Sequence, residues 1–239
     1  MKEQIHFLNE LVKNQDLVGS LKTIRKLFEQ VRFSSAFGQE DQIITDAIFS
    51  NEIEIDVFTL DTGRLFNETY ELIERTRSRY KSDIKVYFPN YQNVEDWVSQ
   101  KGINSFYESI ENRKTCCFIR KIEPLKRALA GADVWVTGLR ADQSDNRQNF
   151  KKFEWDEANE IIKFNPIIDW SFEQMINYLK EHKVPYNELH EKGFVSIGCA
   201  PCTRAITAGE HPRAGRWWWE SSQKECGLHQ VKIEEGQTA

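Results

Sequence analysis

Apolar residues recur at helical spacing near the start of the chain, with Leu17, Leu21, Ile24, Leu27, Phe28 and Val31 among them, so Leu8–Val31 reads as helical, in two helices. Short apolar runs then alternate with longer amphipathic stretches. "VRFSSAF", "EIDVFTL", "IKVYF" and "ADVWVTG" read as strands, and "EIIKFNPI" as a fifth. Helices are expected at "EDQIITDAIF", whose acidic start suits the positive end of a helix, and at "RLFNETYELIERTR". Further helices fall around Val94–Gln100, Lys121–Ala130 and "SFEQMINYLKEHK". Alternating strands and helices predict an α/β fold: a mostly parallel sheet with helices on both faces. Ligands of such sheets sit beyond the carboxyl ends of the strands. From about Gly193 the pattern dissolves into Gly, Pro, Arg, Trp and Cys. The expected organisation is therefore a domain over 1–192 with N-terminal helices, followed by a functional segment over 193–239.

Composition narrows the function classes. Of the 239 residues, 40% are hydrophobic and 29% charged, enough for a packed core. The net charge of -5 gives no general attraction to nucleic acid or anionic membrane, though a local basic pocket stays open. No long apolar run resembles a signal peptide or a membrane span, so the expected home is a reducing cytoplasm. There, clustered cysteines point to metal or catalysis rather than to structural disulfides.

Of the five cysteines, two are adjacent, Cys116 and Cys117 in "TCCFIRK". A bond between neighbours would close a strained ring. Cys199 and Cys202 lie in "GCAPCTR", a spacing that aims two sulfurs at one centre. Together the two pairs read as four thiolate ligands, which serve zinc and an iron–sulfur cluster equally well. The competing reading is a pair of small buried residues plus a redox dithiol. Cys226, in "KECGLH", is left over; Lys224 and His229 nearby favour its thiolate, while an idle surface thiol fits its position equally.

"FSSAFGQEDQ" joins an expected strand to an expected helix, where Ser34, Ser35 and backbone N–H groups can face a phosphate. An ordinary capped turn accounts for it as well, and no Walker lysine follows. "VTGLRADQSDNR" brings Arg140 and Arg147 to the same sheet edge, and "CTRAITAGEHPRAGRWWWE" adds Arg204, Arg213 and Arg216. Taken singly each is a solvated charge; together on loops they describe an anion pocket, since guanidinium forks match phosphate and sulfate. Lys121 follows Cys117 by four residues, on what reads as one helix. The run Trp217–Trp219 reads as packing of the C-terminal segment against the domain.

These segments, from "SSAFGQED" through "LDTGR", "TCCFIRK", "TGLRADQS", "GCAPCTR" and "GRWWWE" to "ECGLH", resemble the assimilatory adenylyl-sulfate reductases, the cluster-containing branch of the phosphoadenylyl-sulfate reductase family. The resemblance covers nearly the whole chain. It implies an adenine nucleotide alpha hydrolase-like fold that binds adenosine 5'-phosphosulfate, with a mobile C-terminal tail. It implies a [4Fe–4S] cluster on Cys116, Cys117, Cys199 and Cys202, which shapes the site rather than passing electrons. It implies that Cys226 attacks the sulfate sulfur, displacing AMP and leaving an S-sulfocysteine that thioredoxin or a glutaredoxin-like dithiol resolves to sulfite. By position, Lys121, Arg147, Arg213 and Arg216 match residues that hold the phosphosulfate. Ser34, Ser35, Phe37, Gly38 and the turn Asp61, Thr62, Gly63 match nucleotide-binding segments, and His229 matches a residue of the C-terminal motif that follows the nucleophile, three positions after Cys226. Ala141 departs from the pattern, since many relatives carry a second arginine after Arg140.

Two rival readings stand beside this one. A tRNA-thiolating relative would carry an SGGxDS-type loop and a basic face, where this chain has "SSAFGQED" and an acidic balance. A zinc-binding or redox-sensing protein accounts for four cysteines but gives the arginines and Cys226 no role. Reduction of the 3'-phosphorylated nucleotide as well is left open, and so is a homo-oligomer.

Overall fold

The computed structural model describes residues 2–143 and 150–220. Two N-terminal helices, α1 (Ile5–Val12) and α2 (Leu17–Leu27), precede β1 (Val31–Ser34), α3 (Gln39–Ser50), β2 (Asp56–Leu60), α4 (Asn67–Tyr80) and β3 (Lys85–Tyr87). After them come α5 (Tyr91–Lys101), α6 (Ile110–Cys117), a π-helical turn (Phe118–Ile122), α7 (Glu123–Leu129), β4 (Val134–Val136), β5 (Phe153–Asp156), β6 (Ile161–Phe164) and α8 (Phe172–Glu181). The six strands form one sheet in the order β3-β2-β1-β4-β6-β5, parallel throughout except for β5 against β6. The expected mostly parallel α/β sheet is thus present, and its order reverses between β1 and β4.

Alternation along the strands places helices on both faces. Val31, Phe33, Val57, Val134 and Val136 share one core with the apolar sides of α1, α2, α3, α4 and α8. Phe58, Trp135 and Ile161 face the other way, against Leu125, Ala128 and Leu129 of α7. No described helix is long and apolar enough to cross a membrane.

Two details depart from the sequence reading. The helical spacing that ran to Val31 ends at Leu27, because Val31 and Phe33 alternate into the sheet and pair with both β2 and β4. Ladder pairing on two sides outweighs the accidental continuation of a helical period. Strand β5, "FEWD", was not foreseen; it is a four-residue edge strand. Asn9 of α1 covers its edge, donating to the Phe153 carbonyl at 2.9 Å and accepting from the Phe153 N–H at 3.0 Å.

Candidate active site

A cavity of about 860 Å³ opens where the strand order reverses, beyond the ends of β1, β2 and β4. Of the residues expected at a nucleotide, Ser34, Ser35, Gly38, Thr62, Lys121, Arg213 and Arg216 line it. The turn after β1 is held by its own side chains. Trp135 Nε1 donates to Ser34 Oγ at 2.8 Å, and Asp41 Oδ2 accepts the Ala36 N–H at 2.7 Å. A carboxylate of α3 therefore already meets an N–H group that the sequence reading offered to phosphate. Gly138 permits this arrangement: a Cβ there would lie 2.0 Å from Asp41 Oδ1.

Phe37, Asp61 and Gly63, also expected at the nucleotide, are not among the residues lining the cavity. Phe37 is buried in the main core with φ 59°, in the left-handed region. Asp61 Oδ1 accepts from the Gly63 N–H at 2.7 Å and from Tyr70 Oη at 2.9 Å, closing the turn that carries Thr62. Burial and the Asp61 hydrogen bond push the Tyr70 hydroxyl up to about 12, so it stays a donor. Arg140 is buried and committed to Glu40 at 3.3 Å and Asp142 at 3.1 Å. His190 also lines the cavity; its Nε2 is buried with no described hydrogen-bond partner, and burial lowers its pKa.

A second, small cavity adjoins the first, with Lys121 lining both. Cys116, Cys117, Cys199 and Cys202 all line it, although more than eighty positions of sequence part the two pairs. The helical run makes this possible: Arg113, Cys116, Cys117, Arg120 and Lys121 recur three and four apart, so one face carries them all. The π turn within the run has a local cause. Pro124 has no N–H for the carbonyl of Arg120, four residues back, and a wider turn relieves the clash. From the other side, the Cys199–Cys202 loop is tied down by its backbone. The Ala200 N–H donates to the Arg64 carbonyl at 2.8 Å, and the Trp217 N–H to the Cys202 carbonyl at 3.2 Å. Thr203 and Arg216 form an antiparallel bridge beside it.

The four thiols are not equivalent. Burial opposes ionisation of Cys199, yet Lys121, a 3.2 Å contact with the Thr62 hydroxyl, Arg216 and Arg120 outweigh it and lower the pKa. Burial pushes the Cys202 thiol up to about 12 and raises Cys116 too. Among the described residues no disulfide joins these cysteines, and no three Cys, His, Asp or Glu side chains converge closely enough for a single metal ion. Four thiols therefore line one small cavity, with Arg64, Arg113, Arg120 and Lys121 beside them.

Arg216 lines the large cavity and is among the cations that lower the pKa of Cys199. Its guanidinium lies 4.8 Å from the Trp217 ring centre, and the side chain is only 6% exposed. It passes beneath Gly198, where a Cβ would stand 2.3 Å from Nη2. Arg113 clasps Glu220 with two bonds, Nε to Oε1 at 2.8 Å and Nη2 to Oε2 at 2.9 Å, both side chains being buried. Sequence reading missed Arg64, Arg113, Arg120 and Gly198; the spacing around the two cysteines was the available signal for Arg113 and Arg120. Arg147, Cys226 and His229 lie outside the described residues.

The phosphoadenosine phosphosulfate reductase domain family matches residues 30–205, a span holding the whole sheet and both cysteine pairs. The chain belongs to this family of enzymes. It is 50% identical over 210 residues to an adenosine 5'-phosphosulfate reductase of Allochromatium vinosum, covering 87% of this chain and 82% of that one. It is 49% identical over 223 residues to a protein of the same name from Sinorhizobium fredii, covering 93% and 89%. A solved phosphoadenylyl-sulfate reductase from Candida auris, in complex with phosphate, superposes with a TM-score of 0.74 at 29% identity, covering 86% of this chain and 98% of that one. An FMN adenylyltransferase of Candida glabrata shares the fold at a TM-score of 0.52 and 15% identity, covering 96% and 77%.

Proposed function

We propose that this chain reduces adenosine 5'-phosphosulfate to sulfite and AMP with electrons from a dithiol. The observation that carries this is the junction of the two cavities: a nucleotide-sized pocket at the sheet's switch point meets a four-thiol chamber, with Lys121 lining both and Arg213 and Arg216 in the pocket wall. The nucleoside lies over the ends of β1 and β2, near Ser34, Ser35 and Gly38. Its phosphosulfate points toward Lys121, Arg213 and Arg216, whose charge offsets the anionic oxygens that repel a nucleophile. The identities of the relatives support this substrate over the 3'-phosphorylated one, and Arg140, already bound to Glu40 and Asp142, adds no further cation.

The thiolate of Cys226 attacks the sulfate sulfur. The sulfur–oxygen bond to the phosphate breaks, and AMP leaves with that electron pair. The S-sulfocysteine is then attacked at its cysteine sulfur by one thiolate of thioredoxin or a similar dithiol; sulfite departs with the bonding pair. The second thiol of the donor resolves the mixed disulfide, so the donor ends oxidised by two electrons. Cys116, Cys117, Cys199 and Cys202 would hold a [4Fe–4S] cluster, which would supply fixed charge to the site without passing electrons. Thr62 and Lys121 orient and charge-balance Cys199.

The test is sulfite release from adenosine 5'-phosphosulfate with thioredoxin as donor. The full-length protein is expected to release it, and Cys226→Ser to bind the nucleotide without releasing sulfite. Undiminished turnover by Cys226→Ser would remove the nucleophile from this scheme.

A further inference from the structure

Ser34 ends β1 in register with Phe58 of β2, so its side chain shares the sheet face of Phe58 and Trp135. Leu125 of α7 packs on that face, and Lys121, four residues earlier, lines the large cavity with it. From β4, the neighbouring strand, Trp135 Nε1 donates to Ser34 Oγ at 2.8 Å. The indole has little freedom. Trp135 is 1% exposed, and the Lys163 ammonium, itself paired with Glu154 at 2.7 Å, lies 5.9 Å from its ring centre. An indole nitrogen donates and never accepts, so Ser34 Oγ is the acceptor and its own proton is turned away from Trp135. Among the described residues no acceptor takes that proton, and Ser34 lines the large cavity. The hydroxyl just past β4 differs: Thr137 Oγ1 gives its proton to Asn165 Oδ1 at 2.6 Å. That amide cannot be turned round, because Asn165 Nδ2 donates to the Lys151 carbonyl at 2.9 Å and to Glu154 Oε1 at 3.2 Å. Of these two hydroxyls, Ser34 keeps a proton to give and Thr137 does not.

We infer that Trp135 is a positioning residue for the nucleotide: its N–H holds the Ser34 hydroxyl so that it meets the ligand as a hydrogen-bond donor. This rests on the reading of the large cavity as the nucleotide site. The group selected is an acceptor, either an anionic oxygen of the phosphosulfate or a nitrogen or oxygen of the nucleoside. Two effects set the size of the indole's contribution. A free hydroxyl samples three staggered wells, so holding it in one is worth at most about threefold in affinity. Donation from the indole also polarises the O–H and strengthens the bond that it makes, by about 10–30%. Together they predict an effect of about 3- to 10-fold. Removing the hydroxyl itself costs the whole bond, about 10- to 100-fold for a charged acceptor and about 2- to 10-fold for a neutral one.

The experiment measures binding of AMP and of adenosine to the full chain, purified without oxygen, by calorimetry. The forms compared are the parent, Trp135→Phe, Ser34→Ala and the double variant. Trp135→Phe is expected to weaken AMP about 3- to 10-fold. In the Ser34→Ala background the same change is expected to move affinity by less than about twofold, because no hydroxyl is left to hold. An indole that served packing alone would cost the same in both backgrounds. Adenosine separates the two sources of the acceptor: a loss confined to AMP assigns it to the phosphate, and an equal loss assigns it to the nucleoside. Since Phe leaves a gap where the indole stood, Trp135→benzothienylalanine is the second variant; it keeps both rings and puts sulfur in place of the N–H, and the same results are expected. Parent affinity in the benzothienyl variant, or an equal loss with and without the Ser34 hydroxyl, would overturn the inference. Failure of the parent to bind AMP would overturn the functional reading itself and this inference with it.

Discussion

Gly198→Ala tests the placement of Arg216 without touching the arginine. A Cβ at 198 would stand 2.3 Å from Arg216 Nη2, 2.5 Å from Cζ and 2.9 Å from Nη1. Ordinary contact begins near 3.4 Å, so the guanidinium must retreat by about 1 Å. A flexible exposed tip would yield at little cost, but this side chain is 6% exposed and lies over the Trp217 ring. Overfilling a packed site costs about 1–3 kcal/mol of stability, provided the side chain relaxes rather than the backbone. The functional effect should be larger than the structural one. A hydrogen bond to a charged group contributes roughly 1.5–3 kcal/mol, which at 1.4 kcal/mol per decade is a 10- to 100-fold loss in affinity. The assay is equilibrium binding of adenosine 5'-phosphosulfate by calorimetry, with adenosine as the control that carries no anion. The expected result is a 10- to 100-fold weaker nucleotide and an unchanged adenosine. Equal affinity of parent and variant for the nucleotide, in a variant that folds, would refute the assignment of Arg216 to the anion.

Three other outcomes follow from the same geometry. Gly138→Ala drives a Cβ to 2.0 Å from Asp41 Oδ1 and 3.2 Å from the Asp41 backbone nitrogen, breaking the cap of α3; denaturant unfolding should show a loss of about 1–3 kcal/mol. Cys202→Ser should purify without the visible absorbance of an iron–sulfur protein and with substoichiometric iron and sulfide, whereas full assembly would contradict the ligand set. His190 has a native pKa below its unfolded value because burial disfavours the cation, so the unfolded chain binds more protons in that interval. Its contribution to stability is complete above the unfolded value and is lost as pH falls through the lowered native one; unfolding midpoints at neutral and acidic pH should diverge less in His190→Gln than in the parent.

Much of the fold was legible because its signals are local. Each parallel strand carries its own apolar run, and each helix its own period, so alternation alone points to the sheet and to the edge where the large cavity opens. The parts that were not legible depend on partners distant in sequence. Strand β5 is four residues with half-buried neighbours, and only pairing with β6 makes it a strand. Thr62 reads as a turn residue beside a nucleotide, and its hydroxyl in fact touches the Cys199 sulfur, across 137 positions, as well as lining the large cavity. Gly138 and Gly198 look like loop glycines; each is required by one side chain that passes where its Cβ would be. Arg113 reads as a surface charge until Glu220, 107 positions on, is seen to bury with it. The cysteines were the exception: adjacency on a helix and Cys-x-x-Cys on a loop are short-range patterns that announce a shared long-range target.

The central claim, that a thiol of this chain accepts the sulfonate, is tested most directly by intact-mass measurement. Protein purified without oxygen would be mixed with adenosine 5'-phosphosulfate in the absence of any donor, then quenched and mapped by peptide. One sulfonate on Cys226, with one AMP released per site and none on Cys116, Cys117, Cys199 or Cys202, is the predicted result. Sulfite formed without an adduct, or an adduct on any other cysteine, would contradict it.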